Sequence, residues 1–298
     1  MVNKMKRFND AKKIGLLGII GNFFLFVIKI IFGFIGHSQA MIADAFNSAG
    51  DIFASLMTWI GNKISSVPND DDHNYGHGKA EYIFSMLISI SMMLVAIKML
   101  IDSILSIINN NHLEFSWSLI IVCIVTIIVK FSLYLYSKSL YKKDKNLLVK
   151  ANMIDHRNDC VITFFTTLAI LLTKVNIFFF DGIVGIGISI WIFLVGVGIF
   201  RESYNVLMDS SIDVETKRKI LKIIKNEKEI KKIGRLYSIP IGYKYIVVVT
   251  VFINGKMPTS KSHKITEKLE KEILNNVEKI ESVIIHVEPY FYSNKKNI

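Results

Sequence analysis

Six stretches of this 298-residue sequence are apolar for long enough to cross about 30 Å of hydrocarbon, and that feature commits the chain to a bundle of membrane helices. They run from about Ile14 to Ile35, Met41 to Ile64, Tyr82 to Ile108, Phe115 to Tyr136, Leu147 to Thr173 and Phe178 to Phe200. With 51% hydrophobic and 20% charged residues, the composition excludes an ordinary soluble enzyme of this length. Cys123 and Cys160 both lie inside apolar runs, so neither a disulfide framework nor a CxxC pair is available. The first run, with its basic start and Ser38-Gln39-Ala40, has the outline of a signal peptide. It is longer than such a segment and carries Lys29, which suits a packed helix better.

The formal net charge of +11 would fit a nucleic-acid partner only if the basic residues formed one surface. Apolar runs instead divide them into short clusters: Lys4, Lys6, Arg7, Lys12 and Lys13 before the first span, Lys63 and Lys79 around the second turn, and Lys138, Lys142, Lys143 and Lys145 between the fourth and fifth spans. The Gly36 to Ala40 and Asn109 to Glu114 connections hold no Lys or Arg, and Lys174 stands alone before the sixth span. The positive-inside rule therefore places both termini in the cytoplasm, in a multi-pass protein of the cell membrane.

From about Arg201 the sequence turns charged and periodic. Asp213 to Ile230 and Ser260 to Asn276 read as amphipathic helices, and Ile233 to Pro240, Tyr243 to Ile253 and Ser282 to Pro289 as strands, with a turn at Gly242. The expected organisation is six transmembrane helices over 1–203, then a small α+β ferredoxin-like cytoplasmic domain of αββαβ order over 204–298.

Polar residues at bilayer depth need partners, water or a task. Asp44, Asn47 and Asp51 in the second span, and Asn152, Asp155 and Asp159 in the fifth, share one spacing and fall on one face of each helix. Two such stripes facing each other surround one cation. The alternatives are an interhelical hydrogen bond for an Asn, and pairing of one Asp with Lys29, Lys98 or Arg157. Three carboxylates and an amide, without imidazole or thiolate, suit a hard ion. Mg²⁺ holds its water tightly, so Mn²⁺ is preferred, with Zn²⁺ the alternative. A second cluster, Asp70-Asp71-Asp72-His73-Asn74-Tyr75-Gly76-His77-Gly78-Lys79, lies between the second and third spans and reads either as a metal-gathering turn or as a solvated one.

Asn47-x-x-x-Asp51, Asp155-His156-Arg157-Asn158-Asp159, the Asp-rich turn ending in Gly76-His77-Gly78-Lys79-Ala80-Glu81, and the six-span layout together resemble the cation diffusion facilitators over nearly the whole chain. The resemblance implies a homodimeric divalent-metal/proton antiporter rather than an enzyme. It places the transport site at Asn47, Asp51, Asp155 and Asp159 and a loop metal site at Asp70, His73 and His77, and it makes the C-terminal domain one for dimerisation and regulation. Lys79 and Asp209 match positions of an interlocking charge pair in similar proteins. Zinc-transporting members usually carry His or Asp at the position of Asn47 and His at that of Asp155, so the Asn and three Asp look like the manganese-exporting branch. Those members often have several histidines in the cytoplasmic domain, where this chain offers only His263 and the His286-x-Glu288 pair.

The expected function is export of Mn²⁺ against protons, because crowded carboxylates bind protons and metal in competition. No cofactor and no nucleic acid are expected; the partners are the metal, protons, the lipid bilayer and a second copy of the chain. Asp44 and Asn152, about a turn before the site, either extend the path or satisfy neighbours. Rival readings are a Zn²⁺, Fe²⁺ or Co²⁺ exporter, a membrane-tethered metal sensor, and an intramembrane metalloenzyme. The last lacks an HExxH motif, a nucleophile elbow and any obvious acid/base set among Gly50, Ile52, Asn158 and Cys160.

Overall fold

A computed structural model describes residues 2–35, 39–109, 117–172 and 180–291, with the backbone alone at some helical positions, Asp44 and Asn47 among them. Lys174, residues 36–38 of the Gly36–Ala40 connection and residues 110–114 of the Asn109–Glu114 connection lie outside the residues so described.

The first of two compact units spans Met1–Tyr204. Its long helices are α1 (Val2–Ile35), α2 (Gln39–Ser65), α3 (Ala80–Asn109), α4 (Trp117–Asp144), α5 (Leu147–Leu172) and α6 (Phe180–Leu207). Several outrun their apolar stretches: α1 begins well before Ile14, and α4 continues past Tyr136 to Asp144. A helix has no reason to stop where hydrocarbon would end, since its hydrogen bonds are internal. Four segments are long and apolar enough to cross a membrane among the described residues: Ala11–Phe32, Ala80–Ile108, Trp117–Lys143 and Gly182–Leu207. The helices carrying the acidic stripes, α2 and α5, do not reach that mark.

Small residues bring the helices together. A Cβ at Gly15 would lie 2.9 Å from the Trp59 amide nitrogen, and one at Gly18 2.5 Å from Ser55 Oγ, so α1 and α2 approach almost backbone to backbone. Beside the polar stripe of α5, Ala54, Ile88, Met92, Ala151 and Ile154 form a buried cluster joining α2, α3 and α5.

The second unit, Asn205–Ile298, contains α7 (Val214–Asn226), β1 (Ile230–Pro240), β2 (Tyr245–Asn254), α8 (Thr259–Asn276) and β3 (Ile280–Tyr290). The sheet order is β1-β2-β3, with β1 antiparallel and β3 parallel to β2. Gly242, at φ 98°, occupies the turn between β1 and β2 in a conformation that side chains resist. Val247, Val249 and Val251 alternate onto one face of β2 and meet Ile220 and Ile224 of α7 and Ile273 of α8, so both helices cover the same face. The sequence places the end of α7 near Ile230, because the helical period continues that far. The helix ends instead at Asn226, and Ile230 pairs with Ile253 in the sheet.

Candidate metal centre

The position of α5 is fixed at its first turn. The Asn146 side-chain oxygen accepts from the Val149 amide at 3.1 Å, and Glu81 Oε1, buried on α3, accepts from the Leu147 amide at 2.7 Å. Free amides at a helix start carry partial positive charge, so a buried carboxylate is a strong partner there. On the other side, α2 is held to α1 by a bond from Asn22 Nδ2 to Ser55 Oγ and to α5 by one from Asn152 Nδ2 to Thr58 Oγ1.

This arrangement brings Asp51 of α2 together with Asp155 and Asp159 of α5 around a cavity of about 30 Å³, with room for a water molecule or one bare ion. Asn158, Met92 of α3 and Ile192 of α6 contribute further walls. Asp155 Oδ2 is buried without a hydrogen-bond partner. The side chains of Asn47 and Asp44 lie outside the described residues. Asn152 makes the interhelical bond, which satisfies a neighbour, yet its Oδ1 is buried and unpartnered.

Two residues alter the composition expected from sequence. Lys130 of α4, 1% exposed, places Nζ 2.7 Å from Asp51 Oδ2 and 2.5 Å from Asp159 Oδ2. Of the cations considered as partners, Lys29 donates to Ser48, Lys98 is exposed, and Arg157 bonds Asn158 and lies over the Trp191 ring. Lys130 was detectable as a lone cation in the middle of the fourth apolar run, the signal already used for the acids. His156 stands beside these carboxylates, where no imidazole was expected. It is fully buried, neither ring nitrogen has a partner, and its ligand atom lies within 4.8 Å of those of Asp155 and Asp159. Its signal was the three-residue step to Asp159, which keeps both on one face.

In the turn before α3, Asp70, His73 and His77 also bring ligand atoms within 4.8 Å of one another. The His73 amide donates to Asp70 Oδ1 at 2.6 Å, and His77 Nε2 lies 3.7 Å from Asp70 Oδ2. The amide bond is the main reason why the Asp70 carboxyl is held below its ordinary range, with the two imidazoles adding to it. Gly76, at φ 74°, closes the turn. In the second unit His286 Nε2 meets Glu288 Oε1 at 2.9 Å, while His263, on α8, joins no cluster of three ligand residues among those described. Lys79 ends the acidic turn, and Asp209 follows α6 with a left-handed backbone at φ 54°.

The family model for the cation efflux transmembrane domain matches residues 15–208, and that for the cation efflux cytoplasmic domain matches 212–290. The chain belongs to the cation efflux family. Among its cation efflux relatives, the manganese efflux system protein MneP of Bacillus subtilis is 29% identical over 94% of this chain and 97% of its own length. The manganese efflux system protein MneS of the same organism is 29% identical over 96% and 99%. The magnetosome protein MamM of Magnetospirillum gryphiswaldense is 27% identical over 93% and 88%. As a cation efflux protein the chain is a membrane transporter, and both long helices that carry its acidic stripes fall within the matched transmembrane domain.

Proposed function

We propose that the chain exports divalent metal from the cytoplasm, with Mn²⁺ as substrate and protons as the counter-ion. The observation that carries this reading is the convergence of Asp51, Asp155 and Asp159, from two helices, on one cavity inside the bundle. Oxygen donors of this kind suit Mn²⁺, and two relatives similar along nearly their whole length are manganese efflux proteins. Asn47 enters the site by its four-residue step from Asp51. On this reading α2 and α5 are the second and fifth of six spans, their polar stripes turned to each other rather than to lipid, and both termini are cytoplasmic. The unit over 1–203 carries transport. The remainder dimerises, a role favoured by the row Tyr237–Val248–Ile284 across the sheet face opposite the helices, with Tyr237 and Ile284 exposed. Asp70, His73 and His77 gather metal near the cytoplasmic mouth.

Protons and metal compete for the same carboxylates, so a proton entering from outside releases the ion and an ion entering from inside releases protons. The test is Mn²⁺ uptake into proteoliposomes under an imposed pH gradient. Uptake should require the gradient and vanish in Asp159→Asn; uptake independent of either refutes the proposal. A second reading, a Zn²⁺ or Fe²⁺ exporter, is favoured by the buried, unpartnered His156 beside the carboxylates. Competition between Mn²⁺ and Zn²⁺ in the same vesicles separates the two.

A further inference from the structure

We propose that Lys130 is a resident countercharge of the transport site, cancelling one of its three carboxylate charges so that the cavity presents a divalent-matched charge to the ion. This inference rests on the transport-site reading above. The Lys130 ammonium donates to one oxygen of Asp51 and one of Asp159, binding together carboxylates that come from different helices. It reaches them from α4, which supplies none of the described cavity walls; these come from α2, α3, α5 and α6. The two carboxylates therefore stand with the ammonium on one side and the cavity on the other, each keeping a second oxygen for an ion. Three carboxylates and one ammonium leave a formal charge of −2, which one divalent cation neutralises. Without the ammonium the same oxygens carry −3, the charge that a trivalent ion balances, and in a site shielded from water such differences weigh heavily. Partners of ligating carboxylates also fix ligand orientation, and their loss typically costs about 10–100-fold in metal affinity.

The experiment measures Mn²⁺ and Tb³⁺ binding to the purified full-length protein in detergent, for the wild type, Lys130→Met, Lys130→Gln, Lys130→Arg and Asp159→Asn. Both ions favour oxygen donors, and their affinity ratio is read on one folded sample, so a general loss of stability does not move it. Lys130→Met should shift the ratio toward Tb³⁺ by about tenfold or more, and Lys130→Arg should keep the wild-type ratio. Lys130→Gln, which keeps a donor but not the charge, should follow Lys130→Met and stands in for it should that variant not fold. An unchanged ratio in the neutral variants overturns the role assigned to Lys130 while leaving the transport site intact. Mn²⁺ binding that does not depend on Asp159 overturns the transport-site reading itself.

Discussion

Glu81 ties the helix bearing two of the site's carboxylates to its neighbour by binding the first residue of α5, eight positions before Asp155. It is 1% exposed, and its Oε1 accepts the Leu147 amide that begins α5. Glu81→Ala removes that acceptor and leaves a buried donor unsatisfied, so it should lower stability by about 1–3 kcal/mol, measured by thermal unfolding in detergent. Glu81→Gln keeps an acceptor oxygen and should lose less. At the metal centre, Asn47→His adds a nitrogen donor and should move preference toward zinc in a Mn²⁺/Zn²⁺ competition assay; an unchanged preference would place selectivity elsewhere, with His156 the first residue to examine. The acidic members of the site were legible because regular spacing on two apolar helices is a strong pattern. Lys130 and His156 were not read, for two reasons. Lys130 has no periodic companion on α4, and its partners are 79 and 29 residues away along the chain. His156 sits within a run of polar residues where its own orientation is not set by spacing alone.

At the scale of elements, small residues decide how closely helices pack, and capping decides where they begin. Gly15→Val puts methyl groups where even a Cβ would come within 2.9 Å of the Trp59 backbone, so α2 must move away from α1. The same displacement pulls Asp51 from α5, and the variant should lose Mn²⁺ binding as well as thermal stability; retention of both would show that the α1–α2 seam does not position the site. In the second unit Asp213 caps α7, accepting from the Thr216 amide at 2.9 Å and from Lys279 Nζ at 2.9 Å. The Lys279 bond, followed by the amide, holds its carboxyl well below the ordinary range. A carboxyl with a lowered folded-state pKa contributes full stability above its unfolded value, about 3.9, and loses that contribution as pH falls below it. Protection of the α7 amides of the full-length protein against hydrogen exchange, taken relative to the intrinsic exchange rate at each pH, should therefore fall below about pH 4. Asp213→Ala should show faster exchange already at neutral pH, by about 1 kcal/mol of lost capping. The strand character of β2 was plain from its unbroken β-branched run, Ile246 to Val251. The end of α7 was not, since Ile230 continues the helical period and also suits a strand, and only pairing with Ile253 decides between them.

For the whole molecule, the two units differ in what their burial depends on. The first exposes many large apolar side chains, among them Phe23, Leu94, Ile128 and Leu194, on helices that bury polar groups such as Asn22, Lys130 and Asn158. That inverted arrangement suits a lipid surface. The second closes an ordinary apolar core of valine and isoleucine within its own residues. Because Asp51, Lys130, Asp155 and Asp159 all belong to the first unit, a chain ending after Asp209 should keep the metal centre. It should lose the sheet face carrying Tyr237 and Ile284, and with it the surface proposed for dimerisation. The truncated protein is therefore expected to bind Mn²⁺ within a few-fold of the full chain when reconstituted in nanodiscs, while sedimenting as a monomer at concentrations where the full chain is dimeric. A truncated protein that stays dimeric would move the interface into the helical bundle. One that loses Mn²⁺ binding while remaining folded would mean that the second unit sets the geometry of the transport site.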